Sequence, residues 1–284
     1  FLSLAYGTII GGITTFLGGA RNALAVGLLE EIAGFKINFF EWLIYSIPLV
    51  TILFVFGFAL LITLFNPEKV NLEEASIRIK RELEMMPPFT FFELLASIII
   101  VLTICGWILT GHIGLGLAGV SLISAILFFI LGIVDWKEAE RQINWSAFFM
   151  YGGAITLGSA FSQTDAGIFL LAKLPYFESN IVILGLFFGL ISLILTEFIS
   201  NATVVALLLP LILKIGISLN LDLKILTVTN ALMSGLAFML PIGTPPNLIS
   251  YSSGYYKISD SIKAGLLMNT FALFSLYICL KFIW

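Results

Sequence analysis

Apolar segments of membrane-spanning length alternate with short polar segments along most of the chain. A transmembrane helix needs about 20 predominantly apolar residues. This criterion predicts spanning helices at residues 41–66, 91–110, 113–134, 143–161 and 261–284. Residues 67–90 are polar, with aliphatic side chains at helical spacing, which predicts a loop containing a short surface helix. Residues 135–141 predict a polar turn, and 163–178 an amphipathic interfacial segment.

Two further apolar stretches, 1–29 and 222–254, are interrupted by residues that a lipid-facing helix does not tolerate. The second contains Pro-Ile-Gly-Thr-Pro-Pro-Asn at 241–247, and the first contains Gly-Gly-Ala-Arg-Asn at 18–22. Proline removes a backbone donor and clashes with the preceding turn. Freed backbone groups persist within hydrocarbon only where protein or water satisfies them. Both stretches therefore predict broken helices, which in secondary transporters border a site near the bilayer midplane.

A polar centre separates two apolar arms in residues 180–216. The arms, 181–195 and 204–213, are short for membrane spans, and they flank the polar segment 196–203. This pattern predicts a re-entrant hairpin whose polar tip is buried near the bilayer centre. The alternative is two tight spans joined by a polar turn at the surface.

The two broken helices carry matching motifs. Residues 18–22 align with residues 243–247, 225 positions later, and one more span follows each motif. Four spans are predicted between the motifs, and the hairpin adds none or two, so the second broken helix crosses in the opposite direction. The predicted fold is therefore an all-α polytopic membrane protein, an inverted-repeat transporter with a re-entrant hairpin and two broken helices.

This fold divides the chain into four parts. They are the end of a first repeat (1–66), a cytoplasmic loop (67–90), scaffold spans with the interfacial arm (91–178), and the hairpin with the second broken helix and last span (179–284). Because the chain begins at Phe1 within an apolar stretch, without a methionine or signal peptide, we interpret it as part of a longer protein.

Lysine and arginine residues in the loops indicate the orientation in the cell membrane. With residues 67–90 in the cytoplasm, the inside carries Lys69, Arg78, Lys80, Arg81, Lys137, Arg141, Lys257 and Lys263, and the outside carries Lys36, Lys173, Lys214, Lys224 and Lys281. This bias predicts that the hairpin enters from outside and that the C-terminus is extracytoplasmic.

Composition agrees with a membrane protein and argues against other classes. The chain is 60% hydrophobic and 11% charged, with a mean hydropathy of +1.09, whereas soluble domains are about 25% charged. A net charge of −3 without a basic stripe gives no reason to expect a nucleic-acid partner. We interpret Cys105 and Cys279 as apolar packing residues and His112 as a loop residue. No catalytic or metal-binding constellation is evident at membrane depth, so we expect neither an enzyme nor a cofactor.

The hairpin tip and the second break offer groups that bind small ions. Ser200, Asn201 and Thr203 carry hydroxyl and amide oxygens, while the break at Gly243 and Thr244 frees carbonyl groups. Hard cations bind oxygen ligands of this kind. Helices that begin at the tip and at the break present N–H groups and positive dipole ends to an anion. The residues therefore favour adjacent sites for a cation and a small anion.

Ser200-Asn201 at a hairpin tip, followed by Leu-Pro-Ile-Gly-Thr-Pro-Pro-Asn at 240–247, resembles the divalent anion/sodium symporter family. Members of that family include dicarboxylate and sulfate carriers, and they carry a Ser-Asn-Thr motif at the tips of two re-entrant hairpins, each paired with a broken helix. The resemblance covers essentially the whole chain as roughly the C-terminal two thirds of a family member, so the first hairpin would precede Phe1.

The resemblance implies roles for the residues of these motifs. Ser200 and Asn201 would contribute to a sodium site and contact the anion. Gly243 and Thr244 would supply further ligands, and Pro245 would line the substrate pocket.

In the same family pattern, Asn247 would brace the broken ends, and Gly18, Gly19 and Asn22 would form the matching sodium half-site. The family also implies a homodimer in the lipid bilayer, in which 91–178 belongs to a fixed scaffold. The hairpin and the broken helices would then move as an elevator-type transport domain.

Two residues depart from the family pattern. Ala202 stands where the family has a threonine, with Thr203 one position later, which weakens the expectation of a dicarboxylate substrate. Arg21 lies in the first motif, where an ionisable side chain is costly and indicates function. It can replace one sodium ion, bind an oxyanion directly, or pair with an acid such as Glu197. For Glu197 itself, the sequence leaves a protonated or paired structural residue and a proton site or counter-charge equally open.

The leading hypothesis is a secondary active transporter of small anions, such as di- or tricarboxylates or sulfate, coupled to sodium. The alternatives on the same broad fold are a sodium-independent anion exchanger, a proton-coupled carrier and an arsenite- or citrate-type carrier. An ion channel is a further alternative, although a channel does not require two broken helices facing a hairpin.

Overall fold

The computed structural model describes residues 1–65, 73–109, 116–143 and 180–284, together with single positions between 145 and 160. Every regular element in these residues is helical, and the chain is an all-α polytopic membrane protein, as the sequence predicts. The predicted span at 143–161 lies largely outside the described residues, and the interfacial segment at 163–178 lies entirely outside them. The chain forms two compact units, one comprising residues 1–64 and 145–284 and the other comprising residues 65–144.

The described helices are numbered here in chain order. They are α1 (Leu2–Thr14), α2 (Ala20–Ala33), α3 (Phe39–Leu64), α4 (Glu73–Glu84), α5 (Phe91–Ile108), α6 (Leu117–Ile130), α7 (Trp136–Gln142), α8 (Ile181–Thr196), α9 (Asn201–Ser218), α10 (Leu223–Met233), α11 (Pro245–Ser252) and α12 (Ile258–Ile278). A short 3₁₀ turn, Phe16–Gly18, follows α1, and a π turn, Cys279–Ile283, continues α12. The described helices long and apolar enough to cross a membrane are α3, α5, α9 and α12 with its π turn.

The unit formed by residues 65–144 contains α4 to α7. Helix α4 confirms the surface helix predicted within 67–90, and α5 confirms the predicted span at 91–110. Helix α5 begins after Thr90 because the Thr90 N–H donates to the Glu93 carboxylate (2.6 Å) and the Glu93 N–H donates back to Thr90 Oγ1 (3.3 Å). The polar turn predicted at 135–141 is wrong, because Asp135 caps helix α7 there.

In the other unit, α3 satisfies the carbonyl groups at the C-terminal end of α1. The last four carbonyls of a helix have no partner within it. Trp42 donates from Nε1 to the Ile13 carbonyl (3.3 Å), and Ser46 donates from Oγ to the Thr14 carbonyl (2.6 Å). These side chains of α3 therefore allow α1 to end within the protein.

Helices α8 and α9 form the predicted hairpin, although its second arm is longer than predicted. Helix α9 runs through Asn201–Ser218 instead of 204–213, because Ser200 caps it and the polar tip residues enter its first turn. At 18 residues α9 is long enough to cross a membrane by itself. Arm length alone therefore does not distinguish a re-entrant hairpin from two spans.

The two broken helices run in opposite directions, as two contacts between their ends show. Lys224 at the start of α10 lies 2.9 Å from the carboxylate of Glu41, at the start of the span that follows α2. At the other end, the ring of Phe1, just before α1, stacks on Tyr255, just after α11, with 4.7 Å between ring centroids. Opposite directions are what an inverted repeat requires.

Candidate functional site

The first break, residues 15–19, is closed by the side chain of Asn22. Its Nδ2 donates to the carbonyl oxygens of Gly12 (3.3 Å) and Thr15 (2.9 Å), which lie ten and seven residues earlier. The Gly18 N–H also donates to the Thr15 carbonyl (3.0 Å). Asn22 is fully buried, so its amide supplies donors that the unwound backbone can no longer provide.

The second break, residues 234–244, is closed in the same way by Asn247. Its Nδ2 donates to the carbonyl oxygens of Ala237 (2.8 Å) and Leu240 (3.2 Å), again ten and seven residues earlier. The Gly243 N–H donates to the Leu240 carbonyl (3.1 Å). Every one of these bonds in the second break matches a bond in the first break at an offset of 225 positions. The two motifs that align in sequence therefore share one pattern of backbone and asparagine hydrogen bonds, which we call the backbone frame.

The observed breaks begin earlier than the sequence motifs that predict them. The motif at 18–22 overlaps the first turn of α2, so Arg21 and Asn22 are helical. Likewise, Pro245 is the first residue of α11, where a proline is tolerated because its missing N–H has no helical partner. Pro245 and Pro246 thus mark the restart of the second broken helix, whereas Pro241 lies within the unwound backbone before it.

Glu197 at the hairpin tip holds the unwound backbone of the second break. Its Oε1 accepts from the N–H groups of Phe238 (2.9 Å) and Met239 (3.0 Å), and its Oε2 accepts from the N–H of Leu240 (2.9 Å). Asn269 of α12 donates from Nδ2 to Oε1 (2.9 Å). The side chain is buried, and both oxygens act as acceptors in these bonds, which is the pattern of an ionised carboxylate.

The other tip residues are bonded mainly within the hairpin. Ser200 Oγ accepts from the Thr203 N–H (3.2 Å) and lies 2.6 Å from Thr203 Oγ1. Thr196 Oγ1 lies 2.8 Å from the amide oxygen of Asn201 and 2.5 Å from the Ser234 carbonyl, where the second break begins. Thr196 and Glu197 therefore bring the tip against the second break.

Several polar side-chain atoms at the breaks are buried and have no hydrogen-bond partner among the described residues. They include the hydroxyl of Thr244 and the amide oxygen of Asn247 at the second break, and the amide oxygen of Asn22 at the first. Buried polar atoms are otherwise almost always paired. Oxygen atoms of this kind suit a cation, so these residues fit a bound sodium ion.

Arg21 lies where the two breaks meet. Its guanidinium donates from Nη2 to the Gly12 carbonyl (3.0 Å), and its Nε is buried without a partner among the described residues. A Cβ atom added to Gly19 would lie 2.6 Å from Nη1, and one added to Gly235 would lie 2.6 Å from Nη2. The guanidinium is therefore packed directly against the backbone of both breaks.

Three contributions to this site were not foreseen from the sequence. They are the capture of backbone N–H groups by Glu197, the support of Glu197 by Asn269, and the bond from Tyr6 Oη to the Phe238 carbonyl (3.2 Å). In the sequence, these residues could be recognised only as isolated polar residues in apolar helices, which rarely face lipid. Their partners lie far away in the sequence, so no spacing rule could identify them.

Comparison with known proteins identifies a family for the whole chain. The family model of the sodium:sulfate symporter transmembrane region matches residues 1–284. A protein of Haemophilus influenzae described as an uncharacterized transporter is 29% identical over 94% of this chain and 59% of its own length.

Two relatives have names that state an ion coupling. The sodium-dependent dicarboxylate transporter of Staphylococcus saprophyticus is 24% identical over 99% of this chain and 58% of its own length. The Na(+)/dicarboxylate cotransporter 3 of Rattus norvegicus is 23% identical over 94% of this chain and 53% of its own length. The chain thus spans between half and two thirds of the length of these relatives, which are transporters and not enzymes.

Proposed function

The chain belongs to the sodium:sulfate symporter transmembrane family, and from this premise we propose that it forms the transport site of a sodium-coupled secondary active carrier of small anions. The observation that supports this proposal is the pair of matched breaks, one of them held against a hairpin tip by Glu197. Unwound backbone and buried oxygens without partners among the described residues lie at these breaks, and such groups suit a site for small ions.

In the proposed site, one sodium ion binds between the hairpin tip and the second break. Its ligands come from Ser200, Asn201, Gly243 and Thr244. The hydroxyl of Thr244 is buried and has no hydrogen-bond partner among the described residues. The Ser200 oxygen lies 2.6 Å from Thr203 Oγ1 and has two lone pairs, so it can ligate an ion beside that contact.

The anion binds beside this sodium ion, at the N-terminal ends of α9 and α11. The start of α9 presents backbone N–H groups and the positive end of a helix dipole. The start of α11 contributes mainly its dipole, because Pro245 and Pro246 have no N–H. Thr203 and Asn247 supply polar side chains, and Pro245, which is exposed, lines the pocket. The names of two relatives suggest a di- or tricarboxylate, and the family description suggests sulfate.

The first break provides the second half of the site. Gly18, Gly19 and Asn22 adopt the same frame as their counterparts in the second break, and Arg21 adds a positive charge. An inverted repeat would place the two halves on opposite sides of the transported anion.

The proposed protein is a multi-pass protein of the cell membrane that works as a homodimer with an extracytoplasmic C-terminus. The hairpin and the broken helices would move together against a fixed scaffold that includes 91–178, in elevator-type alternating access. The bond network between the tip and the second break supports this movement, because it ties the moving elements into one body.

The function is tested by measuring uptake in proteoliposomes that contain the full protein chain. Labelled succinate and sulfate are offered with an inward sodium gradient or with potassium instead. We expect sodium-dependent uptake that falls at least tenfold in Asn201→Ala, equivalent to about 1.4 kcal/mol of lost binding energy. Asn180→Ala is the matched control, because Asn180 caps the same hairpin at its far end and should leave uptake near the parent level.

Equal uptake in sodium and potassium would contradict sodium coupling and support the exchanger or proton-coupled alternatives. An arsenite- or citrate-type carrier would show uptake of those anions in place of succinate and sulfate. Steady single-channel currents without saturable uptake would contradict a carrier altogether.

A further inference from the structure

The two breaks share one backbone frame but differ in charge. Arg21, in the first turn of the helix after the first break, aligns with Pro246 in the first turn of the helix after the second. It is 9% exposed and lies in the first turn of α2, where the helix dipole already disfavours a cation. Arg21 forms no ion pair with an acid among the described residues, unlike Lys224, which pairs with Glu41. A fixed buried cation without such a partner in this part of the chain indicates a function.

The guanidinium lies against a carbonyl group at the edge of the first break. Its Nη2 lies 3.0 Å from the carbonyl oxygen of Gly12, which is within the last turn of α1 and so lacks a helical partner. Unwound carbonyls of this kind coordinate sodium in transporters with broken helices. The other freed carbonyl, that of Thr15, already accepts from Asn22 and from the Gly18 N–H. The matching carbonyls of the second break carry the same bonds, so what a sodium ion would meet only at the first break is the positive charge of Arg21.

The second break differs in its polar groups and its charge. The amide oxygens of Asn22 and Asn247 are both buried without partners among the described residues, but the second break adds the buried hydroxyl of Thr244 where the first has Gly19. The Glu197 carboxylate is close to this frame, since a Cβ atom on Gly243 would lie 3.4 Å from Oε2. A negative charge and free oxygens favour a mobile cation, whereas the first break carries a cation in its own sequence.

We propose that the guanidinium of Arg21 takes the place of a coupling sodium ion at the first break. The protein then binds one sodium ion fewer per cycle than it would with a neutral residue at this position. This proposal rests on the proposed function, because it assigns the coupling stoichiometry of the same site.

The test counts sodium ions in the protein as its gene encodes it, purified in detergent, by equilibrium binding of radiolabelled sodium. The variants are Arg21→Gln, which removes the charge, and Arg21→Lys, which retains it. We expect Arg21→Gln to bind one additional sodium ion and Arg21→Lys to bind the parent number. Arg78→Gln removes an exposed arginine of α4 and serves as the control for a change in net charge.

An unchanged sodium count in folded Arg21→Gln would overturn the proposal. So would failure of both Arg21→Gln and Arg21→Lys to fold, since this outcome would assign Arg21 to packing. A destabilised Arg21→Gln variant remains informative, because sodium should raise its melting temperature more steeply than that of the parent. The binding count requires no transport, so absence of sodium-dependent uptake by the parent would count against the proposed function alone.

Discussion

Replacement of Glu197 should show whether its carboxylate holds the second break in place or is a buried acid without that structural role. The carboxylate accepts from three backbone N–H groups of the second break and from the side chain of Asn269. In Glu197→Ala all four donors lose their acceptor. A buried donor without a partner costs about 1–3 kcal/mol, and the bonds from Phe238 and Asn269 are buried whereas those from Met239 and Leu240 are part-buried. The two buried donors alone cost about 2–6 kcal/mol, which is a large fraction of the stability of a domain, about 5–15 kcal/mol.

Glu197→Gln is the more informative variant because it removes the acceptor at only one of the two carboxylate oxygens. An amide oxygen at the Oε1 position keeps the bonds from Phe238 and Asn269, but the amide NH₂ then faces the N–H of Leu240. One unsatisfied donor costs about 1–3 kcal/mol, which lowers a melting temperature by about 2–12 °C on the scale of domains with 150–250 residues.

The assay is thermal unfolding of the purified protein in detergent, followed by tryptophan fluorescence. Glu30→Gln is the control, because Glu30 pairs with Lys36 at an exposed position where ion pairs contribute little. We expect Glu197→Gln to melt below the parent and Glu197→Ala to be recovered poorly. If Glu197→Gln had the melting temperature and the sodium affinity of the parent, the role of Glu197 in holding the second break would be refuted.

Two further predictions concern packing and the matched asparagines. Gly265→Ala should destabilise the protein by about 1–3 kcal/mol, because the added Cβ would lie 2.6 Å from Met239 Cα in the second break. Gly27→Ala in α2 has nothing within 4 Å of the added Cβ and should stabilise the helix by up to about 1 kcal/mol, so equal melting temperatures for the two variants would contradict this reasoning. Asn22→Ala and Asn247→Ala should lower the melting temperature by similar amounts, since each removes the same two bonds. A large difference between them would show that the two frames are not energetically equivalent.

The sequence predicts the class of the fold and the positions of both breaks because the physics of the bilayer acts on local composition. Span length, proline and glycine in apolar stretches, and polar hairpin tips are all visible within about 20 residues. The spans at 41–66 and 91–110 are observed as Phe39–Leu64 and Phe91–Ile108.

The boundaries of the second break could not be predicted in the same way. The segment 234–240 is apolar and contains no proline, so its own composition favours a helix. It unwinds because residues more than 35 positions earlier in the chain bond its backbone. Thr196 donates to the Ser234 carbonyl, and Glu197 accepts from the Phe238 N–H. Such long-range partners override local propensity, and only a folded structure reveals them.

Under this proposal, the opposite charges at the two breaks explain how two similar backbone frames hold different cations. The first holds the guanidinium of Arg21, and the second binds a sodium ion. At an effective dielectric constant of about 20, two unit charges about 5 Å apart interact with about 3 kcal/mol, or roughly 200-fold in affinity. A guanidinium at that distance would repel sodium from the first break by this amount, while the Glu197 carboxylate would attract sodium to the second by a similar amount. The asparagine bonds are the same in both frames, so under this proposal the two charged side chains would determine which break binds an ion. Neutralisation of Arg21, and not replacement of the surrounding glycines and asparagines, should therefore allow sodium to bind at the first break.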